Sequence, residues 1–247
     1  MRLLLDFLCR FGWGMAVGLV LTPAAIVPAG FFRVNLLVVM GLATGAAAVA
    51  WQGAAASPAW LPATAAAVTA WLGSVAWLAE KRRAGLWLCG IAAAWLAAAT
   101  IRVATGGSPD GSPLPVWTPA VGPLVSGLVT GLTVHAMLLG HWYLNAPGMR
   151  VDALRRMIDL ALVAWLVQLA ITAGWWAFRA APAGGLTASA LVALRWLAGL
   201  AGLPVLLVMA RKTLDIPNTQ SATGILYVAC LAAILGELTA QLLQVPN

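Results

Sequence analysis

Three residues spaced four apart, Gly127, Gly131 and His135, form the first pattern in this sequence that could support chemistry. On an α-helix they share one face, where the two glycines allow a neighbouring backbone to approach closely. His135 then lies in the middle of an apolar stretch and faces that neighbour. Its imidazole either makes one interhelical hydrogen bond, or donates to a quinone carbonyl and accepts a proton near neutral pH.

The same apolar stretch ends in His141, Trp142 and Tyr143, six residues after His135. Aromatic side chains can wall a quinone ring, so these residues are candidate cofactor-binding positions together with His135. The alternative is that His141 only lies at the wet membrane interface, where tryptophan and tyrosine are also common. Both interpretations stay open at this point.

Haem and metal sites are weaker options. His135 and His141 are the only histidines, and a spacing of six residues puts them about 120° apart around a helix, so they cannot clamp one haem between two helices. A haem held by a single histidine and another axial ligand remains open. Cys9, Cys89 and Cys230 are isolated from one another and from histidine, so we expect them to pack as small apolar side chains.

Glu237 and Arg195 are charged residues within apolar stretches, where an unpartnered charge costs several kcal/mol. Helix rise places them at a similar depth, which predicts an Arg195–Glu237 ion pair. Three interpretations stay open: a structural ion pair, a Glu237 carboxyl kept neutral by desolvation, or a protonatable carboxylate on a proton or substrate path. Glu237 and Arg195 are also candidate cofactor-binding residues. Gln168 lies deep in another apolar stretch and is expected to bond across helices.

Apolar stretches of about twenty residues must position these side chains. Only 9% of the 247 residues are charged and 62% are apolar, which predicts an all-α integral membrane protein without a sizeable extramembrane domain. The chain reads as one domain with two four-helix halves, separated by the loop 102–118. Pro23 and Pro28 interrupt the first stretch, so that span either begins earlier, kinks, or ends as an irregular segment buried by its neighbours. The eight predicted spans are 11–32, 34–54, 61–79, 84–101, 119–144, 157–178, 188–210 and 220–244.

Lysine and arginine are distributed unequally between the two predicted sides. The loops after the odd-numbered spans carry nine of them, which the positive-inside rule assigns to the cytoplasm. We therefore expect a multi-pass protein of the inner (plasma) membrane with both termini on the non-cytoplasmic side. The net charge of +7 then marks topology, and we expect no nucleic-acid partner. The nine are Arg33, Lys81, Arg82, Arg83, Arg150, Arg155, Arg156, Arg211 and Lys212.

No HExxH, GxSxG, P-loop or GxGxxG motif occurs, so the chain has no visible catalytic machinery of its own. The first functional hypothesis is a membrane-anchor subunit of a respiratory-type electron-transfer complex that binds quinone and handles protons through His135, His141 and Glu237. The second is a secondary transporter for a small solute, although the two halves show no residue-level repeat. The third is a non-catalytic membrane scaffold or assembly subunit. The lipid bilayer and other subunits are the expected partners.

Overall fold

Eight helical spans make up the structure, a computed structural model that describes residues 1–52, 57–106, 118–146, 150–178, 186–216 and 218–243. Each is long and apolar enough to cross a membrane, and the described residues contain no strand, which confirms the predicted all-helical class. The helices are α1 (Arg2–Leu21), α2 (Ala29–Trp51), α3 (Trp60–Leu78), α4 (Arg82–Thr105), α5 (Thr118–Asn145), α6 (Asp152–Phe178), α7 (Leu186–Leu194), α8 (Leu203–Thr213) and α9 (Thr219–Leu242).

The seventh span is one continuous run of three segments. A π-helical segment, Arg195–Gly202, joins α7 to α8. Such segments are rare because their hydrogen-bond geometry is poorer, and they occur frequently at functional sites. Eight residues of π-helix therefore mark this span as locally unusual.

The first predicted span, 11–32, has the wrong bounds. The helix α1 begins nine residues earlier and ends at Leu21, before both prolines. Thr22 has an extended backbone, as expected for a residue that precedes proline, and Pro28 caps the start of α2 with φ −63° and ψ 149°. The prolines therefore connect two helices, and Arg33, expected in a loop, lies exposed in the second turn of α2.

The helices form two groups of four with the same pattern of neighbours. In the first group α1 packs on α2 and α4, and α3 packs on α2 and α4. In the second group α5 packs on α6 and α9, and the seventh span packs on α6 and α9. The groups meet mainly where α1 packs on α5. The predicted dividing loop, 102–118, is shorter than expected because α4 continues to Thr105; residues 107–117 lie outside the described part of the chain.

The two ends of the bundle differ in charge. Arg82, at the start of α4, donates to the carbonyl of Ala24 in the α1–α2 connection, and Arg211 of α8 pairs with Asp159 of α6 over 2.9 Å. The odd-numbered connections and their basic residues are thus at one end, here called the basic end. The opposite end, where α1 begins and α9 ends, is called the terminal end.

Most hydroxyl groups in the helices satisfy themselves locally. Threonine side chains donate to the carbonyl four residues earlier in their own helix, which removes the cost of an unbonded hydroxyl in lipid. Charged, amide and imidazole groups cannot be satisfied in this way and need partners from other helices. The locally bonded threonines include Thr44, Thr64, Thr69, Thr100, Thr105, Thr133, Thr213, Thr223 and Thr239.

Candidate functional site

The α1–α5 seam is built from small residues on both helices. A Cβ atom on Gly131 would overlap the backbone of Gly14, and one on Gly127 would lie 2.5 Å from the carbonyl oxygen of Arg10. One turn further on, a Cβ on Gly18 would lie 2.6 Å from the His135 ring. Successive positions of α1 thus meet successive positions of α5, so the two helices run parallel. The close approach expected from the glycine spacing on α5 is present.

His135 lies at the end of this seam and is completely buried. Its Nε2 is 2.7 Å from the Thr22 hydroxyl, which also donates to the carbonyl of Gly18 over 2.7 Å. Since a hydroxyl has one hydrogen, this arrangement assigns the imidazole hydrogen to Nε2. Nδ1 is buried with no hydrogen-bond partner among the described residues, and the Phe31 ring packs against the imidazole edge-on at 5.3 Å.

Of the other three predicted residues of the quinone pocket, Trp142 shares the neighbour Phe31 with His135, whereas His141 and Tyr143 have hydrogen-bond partners elsewhere. His141 is exposed, and its Nδ1 is 3.1 Å from the Tyr227 hydroxyl on α9. Trp142 packs on Phe31 of α2 with ring centroids 5.8 Å apart. Tyr143 is buried, and its hydroxyl donates to the backbone carbonyl of Arg150, which precedes α6. The Phe31 ring thus connects Trp142 with His135, while His141 and Tyr143 bond to α9 and to the start of the α6 region.

A buried charged cluster occupies the terminal end of the seam. Glu237 Oε1 accepts from Arg10 Nη1 and from Gln241 Nε2, each at 2.8 Å. Arg10 also holds Asp6 in a bidentate pair, with Nε donating to Oδ1 over 2.8 Å and Nη2 donating to Oδ2. Ser126 of α5 accepts from Arg10 Nη1 at 3.5 Å. Side-chain exposure is 5% for Arg10 and 3% for Glu237.

The predicted Arg195–Glu237 ion pair is wrong, because Arg10 has taken the place of Arg195. The sequence interpretation left Arg10 outside the first span. Because α1 begins at Arg2, Arg10 instead lies eight residues inside it and reaches the level of Glu237. Arg195 donates to the Thr172 hydroxyl over 3.4 Å. Two signals for Arg10 were present: its i, i+4 spacing from Asp6, and its position four residues before Gly14.

Arg195 and Glu237 nevertheless line the same cleft, together with Gln168. The cleft lies between α5, α6, the seventh span and α9, and its cavity volume is about 10 Å³, which is room for about one water molecule. Thr130 and apolar side chains complete the wall; the latter are Val129, Leu200, Leu203 and Ala233. Glu237 Oε2 is buried and has no hydrogen-bond partner among the described residues. The predicted common depth of Arg195 and Glu237 is therefore correct.

The π-helical segment forms one wall of this cleft. Gly199 of that segment and Gly236 of α9 are in backbone contact, since a Cβ on either would lie within 3.0 Å of the other residue's Cα. Gly199 follows Arg195 by four residues, and Gly236 immediately precedes Glu237. The close contact therefore fixes the guanidinium and the carboxylate on two sides of one space.

The charges of the cluster and the cleft balance. Asp6 and Glu237 supply two carboxylates, and Arg10 and Arg195 supply two guanidinium groups. A balanced set of four is far less costly in a membrane than any one of these charges alone. The described residues hold no group of three or more histidine, cysteine or acidic side chains that could bind a metal ion. The arrangement can form hydrogen bonds and exchange protons with a small polar molecule.

Comparisons with protein-family models, with curated proteins and with solved structures found no match to this chain.

Proposed function

We propose that this chain is a membrane subunit of an electron-transfer complex and binds a quinone headgroup in the cleft between Arg195 and Glu237. One observation carries the proposal: Glu237 has a buried carboxylate oxygen without a partner among the described residues, and it lines a cleft together with Arg195 and Gln168. A quinone carbonyl requires a hydrogen-bond donor, and a quinol hydroxyl requires an acceptor. The cleft offers both within the membrane span.

Each side chain then has a distinct part. Arg195 and Gln168 donate to a carbonyl oxygen of the ring, and Glu237 accepts a hydroxyl proton through Oε2. The helices around the cleft must move apart to admit the ring, since the cavity holds about one water molecule, and Leu200 and Leu203 then supply its apolar contact. His135 and His141 lie elsewhere, so this form of the proposal moves proton handling from the histidines to Glu237.

The remaining parts of the proposal concern the surroundings of the chain. Its partners are subunits that carry the redox centres, and nucleic acid is not among them. The chain belongs to the inner (plasma) membrane, with the basic end in the cytoplasm and the terminal end outside. Phosphatase fusions at the chain termini should be active and green fluorescent protein fusions dark; the reverse result would invert this orientation.

Quinone binding by the purified chain tests the central claim. The full chain, tagged and placed in lipid nanodiscs, should retain native quinone and bind a short-chain quinone analogue. Arg195→Leu and Glu237→Leu should each weaken binding at least about tenfold, since a hydrogen bond to a charged group contributes about 1.5–3 kcal/mol. Arg156→Leu and Asp159→Leu, exposed at the basic end, are the matched controls. A wild-type chain that binds no quinone would overturn the proposal. If that chain nevertheless co-purifies with stable partner proteins, the result would favour the scaffold hypothesis.

A secondary transporter is the second candidate, and the repeated neighbour pattern of the two four-helix groups favours it. Transporters built from parallel repeats carry their substrate site where the repeats meet. Here the charged cluster of Asp6, Arg10 and Glu237 lies at that meeting point. Proton-coupled or sodium-coupled solute uptake in proteoliposomes, lost in Glu237→Gln but kept in Asp159→Asn, would support this candidate over quinone binding.

A further inference from the structure

Arg10 has two carboxylate partners, and they use different parts of its guanidinium group. Asp6 occupies Nε and Nη2, whereas Glu237 and Ser126 accept from Nη1. A bidentate arginine–carboxylate pair is the stronger of the two arrangements. Asp6 is also slightly accessible, with 14% of its side chain exposed, against 3% for Glu237. The two carboxylates are therefore not equivalent.

The double pairing changes what happens when Glu237 takes up a proton. If Glu237 were the only partner of Arg10, its neutralisation would leave an unpaired guanidinium buried in the membrane, at a cost of several kcal/mol. With Asp6 in place, Arg10 keeps a full counter-ion. Glu237 can then alternate between the charged and neutral forms without breaking the Asp6–Arg10 pair.

Among the described residues that face Glu237, no titratable group other than Arg10 and Arg195 lies close enough to compete with the Asp6–Arg10 pairing. Ser126 and Thr130 come from α5, Gln168 comes from α6, and Gln241 comes from α9 itself. Arg195 of the seventh span is the one further charge, and it faces Glu237 across the cleft. Glu237 thus lies between Arg10, which Asp6 compensates, and Arg195, which the cleft ligand can contact.

We propose that Asp6 is a positioning residue for quinol oxidation: it holds the charge of Arg10 so that Glu237 can accept the quinol proton. The inference rests on the proposed quinone function. Oxidation of one quinol to quinone releases two protons and two electrons. The electrons pass to one-electron redox centres of the partner subunits. Glu237 Oε2 takes the proton of the hydroxyl it faces, and water at the open side of the cleft takes the proton of the opposite hydroxyl, while Asp6 stays ionised on Arg10.

The test is steady-state oxidation of a short-chain quinol by the complex purified through a tag on this chain, with a soluble dye as electron acceptor. Asp6→Asn should lower kcat at least about tenfold, in the range lost with a general base, and change KM less than about twofold. Asp6→Glu, which restores the charge, should recover most of kcat. Asp152→Asn, which removes an exposed carboxylate at the basic end, is the matched control and should have wild-type kinetics.

The outcomes separate the inference from the function on which it rests. A wild-type complex that neither binds nor oxidises quinol contradicts the proposed function. A complex that is active and loses kcat in Glu237→Gln, yet keeps it in Asp6→Asn, overturns the role of Asp6 alone. An Asp6→Asn complex that loses quinol affinity or its partner subunits, with no recovery in Asp6→Glu, would assign Asp6 a structural role and also overturn the inference.

Discussion

Arg10 and Glu237 form an ion pair of 2.8 Å although 227 residues separate them in sequence. The pair joins the first helix to the last, and with them the two four-helix groups. Both side chains are almost fully buried. Removing either partner leaves the other in a membrane interior that has little water to solvate it, so the pair links the fold to the charge state of the candidate site.

Single substitutions in this pair should have unequal effects. Arg10→Leu leaves two buried carboxylates without their shared partner and should lower the free energy of unfolding by about 3–5 kcal/mol. Glu237→Gln should cost less than half of that, because Arg10 retains Asp6. Unfolding by sodium dodecyl sulfate in mixed micelles measures both. Arg150→Leu, which breaks the exposed pair with Asp152, should cost less than about 1 kcal/mol. Equal losses for Arg10→Leu and Glu237→Gln would contradict the inequality.

The glycine seam should tolerate no side chain at its centre. Gly131→Ala places a methyl group in the backbone of α1, so the helices must separate, and we expect a loss of about 1–3 kcal/mol in the same unfolding measurement. Gly90→Ala in α4 is the matched control, because a Cβ there meets nothing within 4 Å. The control should be neutral or slightly stabilising. A Gly131→Ala protein as stable as Gly90→Ala would rule out the close approach.

The His135–Thr22 hydrogen bond should contribute to stability and leave quinone binding unchanged. His135→Phe and Thr22→Val should each destabilise the protein, with a coupling energy of about 0.5–2 kcal/mol in a double-mutant cycle. Thr44→Val is the control, because the Thr44 side chain is exposed on α2 and its hydroxyl donates to the carbonyl of Met40 in the same helix. His135 is completely buried where α5 packs on α1. We therefore expect the quinone dissociation constant to stay unchanged. A tenfold weaker quinone affinity in His135→Phe would return the histidine to the binding site.

The two four-helix groups should assemble from separate polypeptides. A chain divided within residues 107–117 and co-expressed as two pieces should co-purify through the α1–α5 seam. Introducing Gly131→Leu in the second piece should abolish the association, while Gly90→Leu in the first piece should not. Affinity purification through a tag on one piece, with detection of the other, gives the result. Pieces that never associate would show that the covalent connection is essential.

The sequence predicts the number of membrane spans more accurately than the residues at which each span begins and ends. Eight apolar stretches gave eight helices, but an almost unbroken apolar region from Leu3 to Leu42 contains two helices, and hydropathy alone does not show where the first one stops. The predicted first span, 11–32, excludes Asp6 and Arg10, which are the polar interruptions at the start of this region. Their local pairing removes most of that polarity, an effect that a residue-by-residue hydropathy scale does not include.

The candidate site could be predicted only in part, because some of its contacts depend on which helices are neighbours in the folded bundle. The depth of Arg195 and Glu237 in the membrane follows from helix rise and direction. The sequence can therefore predict that the two residues lie at the same level. The identity of the ion-pair partner depends on which helices are neighbours, and α1 lies next to both α5 and α9 only in the folded bundle. The separate surroundings of His135 and His141 depend on the same long-range packing.

The Asp6–Arg10 pair also bears on how the protein enters the membrane during synthesis. Its two members are one helical turn apart, so they can neutralise each other as soon as α1 forms, long before the ribosome has made α9. The first helix can then leave the translocon without a net buried charge from these residues. Glu237 is synthesised after Arg10 and meets a guanidinium nitrogen that Asp6 does not occupy, so the contact between α1 and α9 forms only once α9 is inserted.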